Sequence, residues 1–252
     1  MNKNKIKNYC HNVLHRPLLF LLLFSVNCFA GDLFELCVIK REAGHLPHTS
    51  STEAVLKYLA SSTSIDPPPA AVCLGVGKEL FDYPFLCITG KGSLGNFTRK
   101  ETALLAKHLS CGGFLLIDES DSYGLDDFYR SVKDFAADIF PDEKLEKIPD
   151  DDVIFRSFYL QPKVAGRNSV SPALYGVRRG GRWAIVYSRN DLFGAWARDE
   201  AGRFIYSCYP GGEAQRMEAV KLTVNIVMYS LTGTYKRDII HRDFIERKLK
   251  SW

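Results

Sequence analysis

Three short stretches hold the residue types from which a reaction or a ligand site could be built. Thr89-Gly90-Lys91-Gly92 is a glycine loop that follows the apolar run Phe85–Ile88. Its backbone N–H groups, together with the Lys91 ammonium, suit an anion. It lacks the G-x-x-x-x-G-K-S/T spacing of a nucleotide phosphate loop, and a tight turn with a solvated lysine is the plainer reading. Asp118-Glu119 closes a second apolar run, Phe114–Ile117. Paired carboxylates can take a hard cation or serve in acid/base work; in the plainer reading Asp118 caps the next turn and Glu119 is solvated. Asn190-Asp191 follows a third run, Trp183–Tyr187. Arg130, on the helix after Asp118-Glu119, is placed to reach back to those carboxylates, to grip an anion, or to form an ordinary ion pair.

The nine residues Thr89, Gly90, Lys91, Gly92, Asp118, Glu119, Arg130, Asn190 and Asp191 make up one candidate ligand-binding rim. Around them, Trp196 and Tyr209 either line a pocket or cover the core. His45 and His48 are spaced H-x-x-H, yet sit in a loop where exposed histidines need no metal. His108 falls late in a helix, where a cation suits the dipole. No metal or cofactor is assigned.

The elements that must position these residues follow from periodicity and punctuation. Thr98 and Glu101 form a capping box that opens a helix, and Gly112-Gly113 stops it. Ser50 and Glu53 predict another capped helix, to about Ala60. Asp126 is expected to cap a third, to about Phe140. Glu213–Leu231 is a fourth, ending at Gly233 ahead of the charged segment Lys236–Trp252, which reads as a separate terminal helix or a frayed tail. Strands are expected at Leu33–Ile39, Ala70–Leu74, Phe85–Ile88, Phe114–Ile117, Ala173–Arg178 and Trp183–Tyr187. Shorter ones are expected at Lys78–Phe81 and Val153–Tyr159, with a hairpin turn at Gly180-Gly181. Strands alternating with helices predict one α/β domain over 31–252, a three-layer, doubly wound and mostly parallel sheet.

The leader reads as a secretory signal. Residues 1–30 hold Lys3, Lys5, Lys7 and Arg16 but no acid, then the apolar run Pro17–Phe24, then Cys28-Phe29-Ala30. Small residues at −3 and −1 place cleavage after Ala30, and the expected location is periplasmic or secreted. The apolar run is short of the ~20 residues of a spanning helix, so the membrane is touched through this segment only if it is retained. The chain has 33 basic and 29 acidic residues, and the four basic residues of the leader account for the whole surplus. Nucleic acid is thereby excluded as the expected partner; envelope proteins are the expected class. Five of the seven cysteines lie beyond Ala30, at 37, 73, 87, 111 and 208. None is spaced C-x-x-C, and no disulfide pair follows from an odd number.

The blocks YPFLCITGKG, GGFLLIDE, DDFYRSVKDF and IPDDDVIFRSFY, followed by GRWAIVYSRNDLFGAW and VNIVMYSLTG, resemble the domain of unknown function 4159 family in order and spacing. The resemblance covers nearly all of the chain after the leader. It implies a class I glutamine amidotransferase-like, flavodoxin-like fold and an exported or membrane-attached protein, and brings no activity with it. In that family the glycine loop usually reads Thr-Gly-His-Gly; Lys91 stands here in place of the histidine, so imidazole chemistry at that position is ruled out. Amidotransferases also carry a cysteine on a G-x-C-x-G strand–helix elbow, and neither Cys111 nor Cys208 is so flanked.

The expectation is an exported, non-catalytic binding or assembly module. The alternative is a hydrolase-type enzyme built from Lys91, Asp118, Glu119 and Asp191 with a divalent cation. A third reading, wall-carbohydrate binding, rests on the aromatics between Trp183 and Tyr209.

Overall fold

Continuous apolar runs need cover on both faces, and this is how the central strands are used. A computed structural model describes residues 34–41, 46–120, 126–161 and 163–249, with side chains through residue 232. Its strands are β1 (Leu36–Ile39), β2 (Val72–Leu74), β3 (Phe85–Gly90), β4 (Phe114–Glu119), β5 (Glu146–Lys147), β6 (Tyr175–Arg179) and β7 (Arg182–Ser188). They form a single seven-stranded mixed sheet in the order β2-β1-β3-β4-β7-β6-β5. The pairs from β2 to β7 are parallel; β7–β6 and β6–β5 are antiparallel. The reversal comes from Gly180-Gly181, whose φ values of 59° and 82° suit a two-residue hairpin turn.

The helices are α1 (Thr49–Ser62), α2 (Arg99–Ser110), α3 (Asp127–Ile139) and α4 (Gly212–Leu249). Alternate strand residues divide the core between two faces. Phe85, Cys87, Phe114, Leu116, Trp183 and Val186 pack with Val55, Leu56 and Leu59 of α1 and Val220, Val224 and Val227 of α4. Leu86, Ile88, Leu115, Ile117, Ile185 and Tyr187 pack with Leu105 and Leu109 of α2 and Phe128, Val132 and Phe135 of α3. Each large side chain so buried contributes roughly 1.5–3 kcal/mol.

The Thr98/Glu101 capping box is present with both reciprocal bonds, and Gly112 takes φ 114° just past α2. Other boundaries differ from expectation. No Ser50/Glu53 box forms: His48 is the N-cap of α1, and Ser50 Oγ instead accepts from Arg198 N–H at 3.1 Å. Asp126 makes no side-chain cap, because its carboxylate is taken by Arg189 at 2.9 Å. Val153–Tyr159 is not a strand: Val153–Arg156 is a 3-10 turn, capped by Asp152 accepting from Ile154 N–H at 3.0 Å. Adjacent Ile154 and Phe155 are both buried there, which an alternating strand face would not allow. Lys78–Asp82 is also a 3-10 turn rather than a strand. The charged edge strand β5 carried no apolar signal and was not anticipated. α4 runs through Gly233 to Leu249, since one glycine costs a helix only about 1 kcal/mol. Among the described residues no helix is long and apolar enough to cross a membrane.

Candidate functional site

Strand register brings the first polar groups together. Thr89 of β3 lies opposite Asp118 of β4, and Asp118 opposite Ser188 of β7, all at the carboxyl ends of parallel strands. All three are buried. Gly90 closes β3 because nothing larger fits: a Cβ there would lie 2.6 Å from Cε2 of Phe128. Its carbonyl accepts from both the N–H and the hydroxyl of Ser120, at 2.7 and 3.0 Å, which ties the ends of β3 and β4 together.

Asp118 is fully buried, and its two oxygens accept from the N–H groups of Leu192 and Phe193, each at 2.9 Å. It fixes the 3-10 turn Phe193–Ala195 that follows β7. Burial, then the neighbouring Asp191 carboxylate, push its pKa up to about 8, against the pull of the two N–H bonds. Asp191 itself has φ 56°, in the left-handed region. It accepts from Gly194 N–H at 3.0 Å and pairs with the Arg167 guanidinium. Gly194 must lack a side chain, since a Cβ would meet Asp191 Oδ2 at 2.2 Å. The Arg167 guanidinium also lies 4.9 Å from the Tyr206 ring centre.

These groups border a cavity of about 220 Å³ lined by Pro47, His48 and Ser51 from the start of α1, by Thr89, Lys91 and Ser120 from the β3 and β4 ends, and by Arg167, Asp191, Phe193, Gly194, Ala197 and Tyr206. The sheet order changes direction between β1 and β3, and the loops after those two strands flank this cavity. Ligands of open α/β sheets bind at such a switch point. Ser51 Oγ is buried, with no hydrogen-bond partner among the described residues. Two residues of α4 hold the far wall. Gln215 Nε2 donates to the carbonyls of Gly166, Arg167 and Tyr209 at 2.8, 3.1 and 2.9 Å. Arg216, almost wholly buried, donates to those of Ala195 and Tyr206 at 2.6 and 2.7 Å.

Of the rim residues expected from sequence, Thr89, Lys91 and Asp191 line this cavity. Gly90 supports it from behind, and Gly92, with φ 72°, shapes the turn after Lys91. Asp118 lies beneath the cavity rather than in it. Glu119 is not solvated: it is buried, accepts from the Tyr187 hydroxyl, and pairs with Arg189 Nε at 3.3 Å. Burial and Glu119 raise the Tyr187 pKa. Arg130 does not reach either carboxylate; it is exposed and pairs with Asp127 on its own helix. The arginine at Glu119 is Arg189. Asn190 is a structural residue, its buried amide bonded to the backbone of Val170 and Ser171 at 2.7–2.9 Å.

The aromatic platform does not form. Trp183 and Trp196 are core residues, bonded to Asp152 and Thr223 at 2.9 and 3.1 Å, and of this stretch's aromatics Tyr206 and Tyr209 are exposed, Tyr209 at 75%. His108 is buried and its pKa is lowered by desolvation, so it is no helix-end cation. His45 lies outside the described residues; His48 is exposed and meets the Tyr206 ring edge-on at 6.3 Å. The five described cysteines are free thiols, and none lines the cavity. Among the described residues no group of three or more His, Cys, Asp or Glu could hold a metal ion.

Sequence reasoning missed Ser51, Ser120, Arg167, Gly194 and Tyr206. The helix-start signal at Ser50 fell one residue from Ser51. Arg167 lies in a loop without periodicity, far in sequence from Asp191. No curated protein matches the chain significantly. A family model, that of a domain of unknown function (DUF4159), matches residues 39–231. That span covers most of the chain, and the protein belongs to this family.

Proposed function

We propose that the protein is an exported, non-catalytic module that binds a small ligand in the switch-point cavity, on a doubly wound scaffold of the flavodoxin-like, amidotransferase-like class. The observation that carries this reading is a cavity with convergent polar groups and, among its described lining residues, no cysteine. Ser120 Oγ donates to the Gly90 carbonyl, and among the described residues Ser51 Oγ has no hydrogen-bond partner that could act as its base. The strand order β2-β1-β3-β4-β7, all parallel, supports the scaffold. The basic, apolar and small-residue segments of the leader support export, with envelope proteins as partners.

The hydrolase alternative draws on the raised pKa of Asp118 beside Asp191. Against it, Asp118 is wholly buried and both its oxygens are engaged by backbone N–H groups, so neither substrate nor a hard cation reaches them.

A thermal-shift screen of the full chain against anions, sugars, nucleotides and divalent metals tests the reading, with Lys91→Ala as control. A ligand at a hundred times its Kd adds about 2.7 kcal/mol, a rise of several degrees. The expected result is a shift with at least one class, reduced in Lys91→Ala. Shifts identical in both proteins would place the ligand elsewhere and refute the cavity as its site. Retained leader sequence at the N-terminus of protein recovered from cells would refute cleavage after Ala30.

A further inference from the structure

The chemistry of the cavity wall is uneven, and the unevenness indicates what it takes. α1 begins at the cavity with no acidic residue in its first turn and no side-chain cap on His48. The amides of Ser51 and Thr52 turn back to the His48 carbonyl at 2.8 and 3.4 Å, while those of Thr49 and Ser50 precede the first intrahelical acceptor. The positive end of the helix dipole is therefore uncompensated by its own residues. Ser51 Oγ supplies the second, independent sign of a ligand. It is a hydroxyl at 1% residue exposure, in the wall, with no partner among the described residues. A buried hydroxyl without a partner costs free energy that a bound acceptor recovers. Lys91 lines the cavity from the end of β3, and Arg167, already neutralising Asp191, lines it from a third segment.

Resting on the reading of this cavity as the ligand site, we infer that it is a phosphoryl-binding site at the start of α1, with the Ser51 hydroxyl and the Lys91 ammonium as its donors. Donors from separate elements surround a tetrahedral group with three oxygens better than a planar carboxylate. At about 220 Å³ the cavity has the space of about seven waters, enough for a phosphoryl group and part of what bears it.

The test is an NMR titration of the 15N-labelled full chain with inorganic phosphate, phenyl phosphate, acetate and glucose, following the amides of Ser51 and Gly194. The expected result is saturable movement of both resonances with the two phosphates, at lower concentration than with acetate. Ser51→Ala and Lys91→Ala should each weaken phosphate about ten-fold or more. The Lys91→Ala variant should also show a flatter dependence on salt. Acetate or glucose moving these resonances while the phosphates do not would overturn the phosphoryl assignment and leave the cavity as the ligand site. Phosphate binding that is unaltered in both variants would also overturn it. Movement with none of the four probes, together with a blank thermal-shift screen, would overturn the cavity reading as well.

Discussion

Asp118→Asn separates two opposed effects at one buried carboxylate. The wild-type group gives both oxygens to N–H groups, which favours ionisation, yet burial and Asp191 raise its pKa from 3.8 to about 8. For an acid with its folded pKa above its unfolded one, the folded state holds the extra proton in between. The stability it contributes is complete below the unfolded pKa and is lost as pH rises toward the folded one. At ~1.4 kcal/mol per pH unit, the span from 3.8 to about 8 is on the order of 6 kcal/mol. The asparagine cannot ionise, but its NH2 faces one of the two N–H groups and leaves it without an acceptor, at about 1–3 kcal/mol. Urea unfolding of both proteins from pH 4 to pH 9 reads the difference. His108, with its pKa lowered by burial, tilts both curves alike and cancels. The variant should be less stable by about 1–3 kcal/mol near pH 4, with the gap closing and reversing toward pH 8. A gap that is constant or widens with pH would show that Asp118 stays ionised throughout, the N–H bonds outweighing desolvation, and would refute the reasoning.

Three further outcomes concern the framework of the site. Gly90→Ala puts a Cβ 2.6 Å from the buried Phe128 ring and should cost about 1–3 kcal/mol in urea unfolding, with m unchanged. Thr98→Ala removes the N-cap of α2 and should cost about 1 kcal/mol, with the loss confined to faster hydrogen exchange in that helix if it opens locally. Arg216→Met keeps packing against Phe204, 3.7 Å away, but orphans the carbonyls of Ala195 and Tyr206; it should destabilise by about 2–5 kcal/mol and weaken cavity ligands along with the fold.

The strands that carry the site could be read directly, because β3, β4 and β7 are unbroken apolar runs whose ends are polar by composition. The residues at those ends were therefore found: Thr89, Lys91 and Asp191 line the cavity. What the sequence hid was direction and reach. Arg130 is the arginine the sequence offers to Glu119, and only the path of the chain after β7 puts Arg189 there instead. Asp118 reads as a rim acid or as a cap of the turn after β4, but the turn whose N–H groups use both its oxygens is the one after β7, at Leu192 and Phe193. Ser51 and Arg167 belong to segments whose local pattern concerns helix starts and loops, and their meeting at one cavity is a property of the sheet order. The hairpin at Gly180-Gly181 was legible from its residues, while its consequence, two antiparallel strands at the edge, needed the pairing partners.

The most direct measurement follows the fate of a bound compound. The full chain is incubated with the compound that gives the largest midpoint shift, at saturation, and both compound and protein are examined by mass spectrometry over a day. A binding module returns the compound intact and carries no added mass. Consumption of the compound, or a covalent adduct on the chain, at a rate abolished in Lys91→Ala would contradict the account and establish an enzyme at this cavity.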